Sequence, residues 1–331
     1  MLPKADQPVI LGTTIMNSRS PRRVPRRWPV ALLTLVLLFA TGFTVVRGNV
    51  LGMGERFDRL ASRIETFVDP PPDRSTIPTV VVTPAPSPTA SPTSRPTVEP
   101  SASATPSPTP LVRTAVDVRT VDNHDAVFTS QITDKDCAVA ATQMVLAILG
   151  LGNSSNAFQT EIHDRIGAWE SWEDSHNGGW GPAAVSLALA AFGEPDYEIR
   201  AYTSYTDALR DSAIAIIEMD KPVLMFPWWG AHTWVMTGFR ADADPTLFAD
   251  AAISGAYILD PWYPRFSSIC AQSDGPGNFE NLAELERNWP VFGGPPPYQE
   301  IGPGWSRPEG AYPDRDGRFV VLIPTTPRSD S

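Results

Sequence analysis

Cys137 opens an apolar run, Ala138-Val139-Ala140-Ala141-Thr142-Gln143-Met144-Val145-Leu146, and Gln131 stands six positions ahead of it. Val139, Met144, Val145, Ile148 and Leu149 recur at helical spacing, Gly150 and Gly152 close the pattern, and Asp134 or Asp136 can cap its start. The cysteine then falls in the first helical turn, where unpaired N–H groups and the positive end of the helix dipole favour an anionic sulfur. A thiolate so placed attacks acyl carbons. The Gln131 amide, arriving from the preceding loop, is positioned to join the Cys137 N–H in holding the oxyanion of a tetrahedral intermediate. Taken alone, the segment is explained equally well by a small buried core cysteine.

A thiol nucleophile needs a base, and histidine is the side chain suited to the task. The chain has four. His124 precedes the Gln131 motif, while His163 and His176 lie in polar stretches expected to be exposed. His232 opens an apolar strand, Thr233-Trp234-Val235-Met236-Thr237-Gly238-Phe239, just after Gly230-Ala231, where other backbone can approach closely. Its imidazole needs a partner to fix the tautomer, and Asp260 ends the next strand, Tyr257-Ile258-Leu259, where Pro261 stops regular pairing. If those two strands are neighbours, the side chains meet. Read singly, a core histidine and an Asp-Pro turn are ordinary features.

The elements that must bring these residues together lie in 111–326, which reads as one α+β domain with helices mostly early and strands mostly late. Nine of the ten tryptophans fall there. Beyond the Cys137 helix, the pattern predicts helices over 183–192, begun by Gly181-Pro182 and closed by Gly193, over 206–219 and, briefly, over 284–289. Strands are expected over 222–228, 233–239, 256–259 and 319–323, and the Pro/Gly-rich stretch 293–308 reads as an irregular surface loop.

The first third of the chain does not read as globular. Residues 1–28 form a basic tail that includes Arg19, Arg22, Arg23, Arg26 and Arg27, and 29–46 carry no charge over a length that just crosses a bilayer. This predicts a single transmembrane helix with the N-terminus in the cytoplasm and the remainder outside the cell membrane. A cleaved signal peptide is the alternative; against it stand the long basic leader and the lack of a small-x-small cleavage site. Residues 47–68 alternate charged and apolar residues as a juxtamembrane helix, and 69–110, dominated by Pro, Ser, Thr and Ala, read as a disordered linker. An extended linker of that kind reaches on the order of 100 Å, enough to carry the domain through a cell-wall layer.

The net charge of −11 hides an asymmetry: residues beyond 50 hold 19 basic against 36 acidic side chains, which argues against a nucleic-acid partner. With only two cysteines in an oxidising exterior, a Cys137–Cys270 disulfide is the structural alternative to a nucleophile. The histidines lack metal-ligand spacing and no phosphate-cradling glycine loop precedes a helix, so neither a metal nor a cofactor is expected.

Together, the Gln131 to Leu146 segment, Lys221-Pro222-Val223-Leu224 followed by His232, and Leu259-Asp260-Pro261-Trp262 resemble family 39 of the cysteine peptidases. Members of that family process bacteriocins with papain-like domains that cut leader peptides after a double glycine. Gly178-Gly179-Trp180-Gly181-Pro182 and its helix resemble the family's cleft-lining helix. The resemblance spans about 129 to 262. It implies a papain-like fold, with Cys137 as nucleophile, His232 as general base, Asp260 as orienting carboxylate and Gln131 as oxyanion donor, acting on a peptide or protein substrate. It depart from the family where Ala138-Val139 stand in place of the usual glycine, which puts a Cβ beside the nucleophile where substrate backbone passes, and in a longer interval between His232 and Asp260. The transporter segments of the bacteriocin processors do not accompany the domain, so cleavage coupled to export is not expected. Two alternatives share the scaffold. One is a retired peptidase fold binding wall peptide or glycan in a cleft lined by Trp180, Trp228, Trp229, Trp234 and Trp262. The other is a cysteine acyltransferase using an amine in place of water.

Overall fold

The computed structural model describes residues 77–83, 111–165, 168–169, 180–267, 271–293 and 314–329. The expected basic tail, transmembrane helix and juxtamembrane helix lie outside them, as do Cys270, His176, Gly178 and Gly179. Among the described residues no helix is long and apolar enough to cross a membrane.

The protein is a mixed α/β structure built on an eight-stranded sheet. Its strands are β1 (Thr79–Val82), β2 (Val116–Arg119), β3 (Tyr197–Tyr202), β4 (Val223–Met225), β5 (Trp234–Ala241), β6 (Ile253–Leu259), β9 (Asn278–Asn281) and β10 (Phe319–Pro324); β7 (Phe266–Ser267) and β8 (Ala271–Gln272) form a separate ribbon. The order across the sheet is β1-β3-β10-β4-β5-β6-β9, and β2 joins β5 beyond the end of β4. All pairings are antiparallel except β1 with β3.

The described helices are α1 (His124–Val127), α2 (Cys137–Ile148), α3 (Asn156–Asp164), α4 (Pro182–Ala191), α5 (Tyr205–Met219) and α6 (Leu282–Asn288). They cover both faces of the sheet, so the central strands are buried on both sides and alternate between two cores. Leu224, Val235, Val320 and Leu322 join α2 and α4 in one core. Val223, Met225, Trp234, Met236, Val321 and Ile323 join α5 and α6 in the other. Local signals place the helix ends: Gly150 beyond α2 is left-handed at φ 74°, Ser204 caps α5 by accepting from the Asp207 N–H, and Asn281 with Glu284 forms a capping box on α6.

The helices and strands predicted within 111–326 all appear, with ends shifted by up to three residues, whereas β1, β2, β3, β7, β8, β9, α1 and α3 were not anticipated. The linker reading needs one correction. Within 69–110, Thr79-Val80-Val81-Val82 pairs with Ile199–Tyr202 as an edge strand, Ile77 packs on one core and Val82 on the other, and Arg315 Nε donates to Thr79 Oγ1 at 3.0 Å. A run of β-branched residues directly after a proline overrides the surrounding composition, because such residues favour a pleated, half-buried surface and Pro is tolerated at a strand's start.

Candidate active site

The N-terminus of α2 sets one side of the site. Asp136 occupies the cap position but does not cap. Its Oδ2 accepts from the Thr133 N–H at 3.0 Å, its Oδ1 lies 3.0 Å from His163 Nδ1, and Asp134 is held by Arg265 Nη1 at 2.7 Å. No side chain therefore covers the first-turn N–H groups at Cys137, and the concentrated positive potential there stays available to an anion. Cys137 is half-buried and a free thiol.

The sheet supplies the other side. Pairing of Val235 with Leu259 in the β5–β6 ladder aligns the start of β5 with the end of β6, so His232 and Asp260 sit side by side just outside it. His232 Nε2 lies 2.7 Å from Asp260 Oδ1, which also accepts from the Trp262 N–H at 2.8 Å. Both side chains are buried, at 2 % and 6 % exposure. Nε2 is committed to Asp260, which leaves Nδ1 as the free ring nitrogen, and Cys137 is near enough to act on the ring electrostatically. Burial works against a charged ring, but the Asp260 carboxylate and then the Cys137 sulfur outweigh it and push His232 up to about 9. The pair of groups is thus electrostatically set for imidazolium facing sulfur.

Gln131 is 2 % exposed; its Nε2 donates to the Thr133 carbonyl at 2.7 Å, which commits one amide proton and leaves the other, and Oε1 has no hydrogen-bond partner among the described residues. The loop carrying it is stitched to the segment after Asp260. Gln131 N–H donates to Pro261 O at 2.9 Å, Ser130 Oγ to Tyr263 O, and Arg265 Nη2 to the carbonyls of Gln131 and Ile132 at 2.9 and 3.1 Å. From behind, Gln159 on α3 accepts from the Ile132 N–H at 2.7 Å and donates to Ser130 O and Gln143 Oε1. Sequence reasoning did not find Gln159, Gln143, Arg265 or His163, since glutamines and arginines carry no spacing signature and the partners lie far off in the chain. His163, expected to be exposed, keeps 43 % of its side chain exposed and also reaches Asp136 Oδ1 at 3.0 Å.

The residues expected to meet substrate divide. Trp229 is half-buried beside the site. Ala138 is wholly buried, its side chain in the core beneath α2, so its Cβ does not stand in the path of a substrate backbone: the helix turns position 138 away from the side on which Cys137 emerges. Trp180, at 6 % exposure, packs edge-on against Trp169 with ring centroids 5.4 Å apart and lines the core rather than an open cleft. Trp228 and Trp234 are likewise buried, which removes most of the expected aromatic platform. A hollow of about 620 Å³ lined by Val116, Asp117, Arg240, Ile253 and Leu282 lies at the other end of β5 and holds none of these groups. Among the described residues no cluster of His, Cys, Asp and Glu could hold a metal ion.

No family model matches the sequence, and no curated protein matches it. Among solved structures, the chain is similar to a double-glycine-motif protease from an AMS/PCAT transporter, crystallised in complex with the leader peptide. The two are 15% identical with a TM-score of 0.32, and the match covers 63% of this chain and 99% of the other. A likeness this loose assigns nothing to individual residues, and the reading of the site rests on its own geometry.

Proposed function

We propose that the protein is a cysteine peptidase or amidase of papain-like arrangement. Cys137 attacks the acyl carbon of a peptide, His232 takes up and returns the proton, and Asp260 holds the ring. The observation that carries this reading is the buried His232–Asp260 pair, 2.7 Å apart, with a free cysteine at an uncapped helix N-terminus near enough to act on the ring. In the acylation step the sulfur forms a bond to the carbonyl carbon, the oxyanion meets the Cys137 N–H and the uncommitted Gln131 amide proton, and the His232 imidazolium protonates the leaving amine. Water then takes the amine's place, with His232 as base. An amine in that step would make the same site an acyltransferase. The apolar span 29–46 would anchor the domain to the outer face of the cell membrane, where peptide or protein substrates, those of the cell wall included, are within reach.

Alkylation of the full-length protein with iodoacetamide near neutral pH tests the assignment. Cys137 is expected to react faster than a free thiol, and His232→Ala to abolish the excess. Equal, slow labelling in both proteins, or a Cys137–Cys270 disulfide on mass analysis, would sink the enzyme reading.

A further inference from the structure

The turn before His232 takes a path that its residues resist. Trp228, Trp229 and Gly230 are all left-handed, at φ 54°, 60° and 87°. For glycine this is free, but for two consecutive tryptophans it is strained, and such strain persists only where the surroundings over-determine it. Here they do. Gly230, Ala231 and His232 donate their N–H groups to Pro227, Trp228 and Pro227 carbonyls at 3.1, 3.1 and 3.3 Å, and Gly293 donates to Trp229 O at 3.0 Å. The Phe292 ring lies so close over Gly230 that a Cβ there would sit 2.3 Å from it.

What the strained turn achieves is the placement of one ring. Trp228, 7 % exposed, lies flat on the His232 imidazole, with centroids 4.2 Å apart and planes 16° from parallel, and Trp262 packs edge-on against it at 6.4 Å. Asp260 holds the edge of the imidazole at Nε2, and one of its faces is given to an indole. Indole presents the most negative face of any side chain, and a desolvated cation over it is held more strongly than a neutral ring.

We propose that Trp228 is a positioning residue that stabilises the protonated His232 ring through its π face and so holds the imidazolium beside the Cys137 sulfur. The proposal rests on the reading of Cys137 and His232 as nucleophile and base. The titratable groups acting on the ring are Asp260, from the end of β6, and Cys137, from α2. Trp228 adds to them a neutral, non-titrating source of the same preference, one that salt does not screen.

The test compares alkylation of Cys137 by iodoacetate and iodoacetamide in the full-length protein across pH, read at the Cys137 peptide by mass analysis. In both reactions the sulfur bonds to the methylene carbon and iodide leaves. Only the anionic reagent is favoured by an adjacent imidazolium, so the rate ratio falls when the ring loses its proton. The expected midpoint in the natural protein is near 9. Trp228→Leu is expected to lower that midpoint by about half to one pH unit, and Trp228→Phe, with a weaker face, by part of that. A residue that merely fills space would reduce the rates and leave the midpoint where it is. If Trp228→Leu does not fold, Trp228→Phe decides the question. An unchanged midpoint in a folded variant overturns the proposal alone, whereas a ratio with no pH step in the natural protein overturns the Cys137–His232 pairing and this proposal with it.

Discussion

Asp260 Oδ1 serves two donors, the His232 ring and the Trp262 N–H, and the second fixes the carboxylate so that the first is always met. Asp260→Asn keeps the shape and removes the charge. On the proposed role of Asp260, it is expected to lower turnover of a peptide substrate on the order of 10²-fold or more and to move the basic limb of the pH profile downward. The same charge has a stability signature. The ring titrates near 9 in the folded protein against an ordinary 6.5, so the folded state holds an extra proton between those values. Its contribution to stability is therefore complete below about pH 6.5 and lost as pH rises through about 9. Urea midpoints measured across that interval are expected to fall in the natural protein and to lose most of that slope in Asp260→Asn. Cys137, His232 and Asp260 were legible in the sequence because each sits at an element boundary with a local signature. Gln159 was not. Its amide satisfies the Ile132 N–H and the Ser130 carbonyl, 27 and 29 positions away, and nothing local marks that need. Gln159→Leu is expected to destabilise by roughly 1–3 kcal/mol in urea and to slow Cys137 alkylation, because two backbone groups of the Gln131 loop and the buried Gln143 Oε1 lose their partner.

Among the elements, the β5–β6 ladder and the turn before β5 do the positioning. Gly230→Ala puts a Cβ 2.3 Å from the Phe292 ring at a φ of 87° and is expected to cost about 2 kcal/mol or more by thermal or urea denaturation, with loss of Cys137 reactivity as His232 shifts. A wild-type melting curve for that variant would show that the turn does not constrain the ring. The buried Lys221–Glu194 pair, with contacts at 2.9 and 3.0 Å, ties the α4–β3 connection to the segment just before β4. Lys221→Met leaves an unpaired buried carboxylate and is expected to cost roughly 3–5 kcal/mol, most of it recovered when Glu194→Leu is added. Helices α2, α4, α5 and α6 were readable from period and caps, and the apolar runs of β4, β5, β6 and β10 from their continuity. Strand β3, Tyr-Glu-Ile-Arg-Ala-Tyr, was not, because its charged positions disguise a strand whose Arg200 and Glu198 pair with each other at 2.7 Å along its partly exposed side.

At the scale of the whole molecule, β1 ties part of 69–110 into the fold: Thr79–Val82 docks on β3 and fixes the chain to the sheet ahead of residue 84. A protein starting at residue 84 is expected to be less stable than one starting near residue 70 by about 1–3 kcal/mol, since Ile77 and Val82 leave the two cores and the β3 edge is bared. Identical melting temperatures for the two would show that β1 contributes nothing.

The sequence by itself determined the chemistry on offer: a cysteine at a helix start, a histidine before one strand, an aspartate after another, and an acidic composition beyond residue 50. Those are local properties, set by caps, periodicity and residue type. Only the tertiary structure decided that β5 and β6 are neighbours in a register that joins His232 to Asp260, that Asp136 turns from its cap toward His163, and that Ala138 faces the core. It also brought Trp228 flat against the imidazole. Each of these depends on which segments, tens of residues apart, share a pairing edge or a core, and no local pattern encodes that choice.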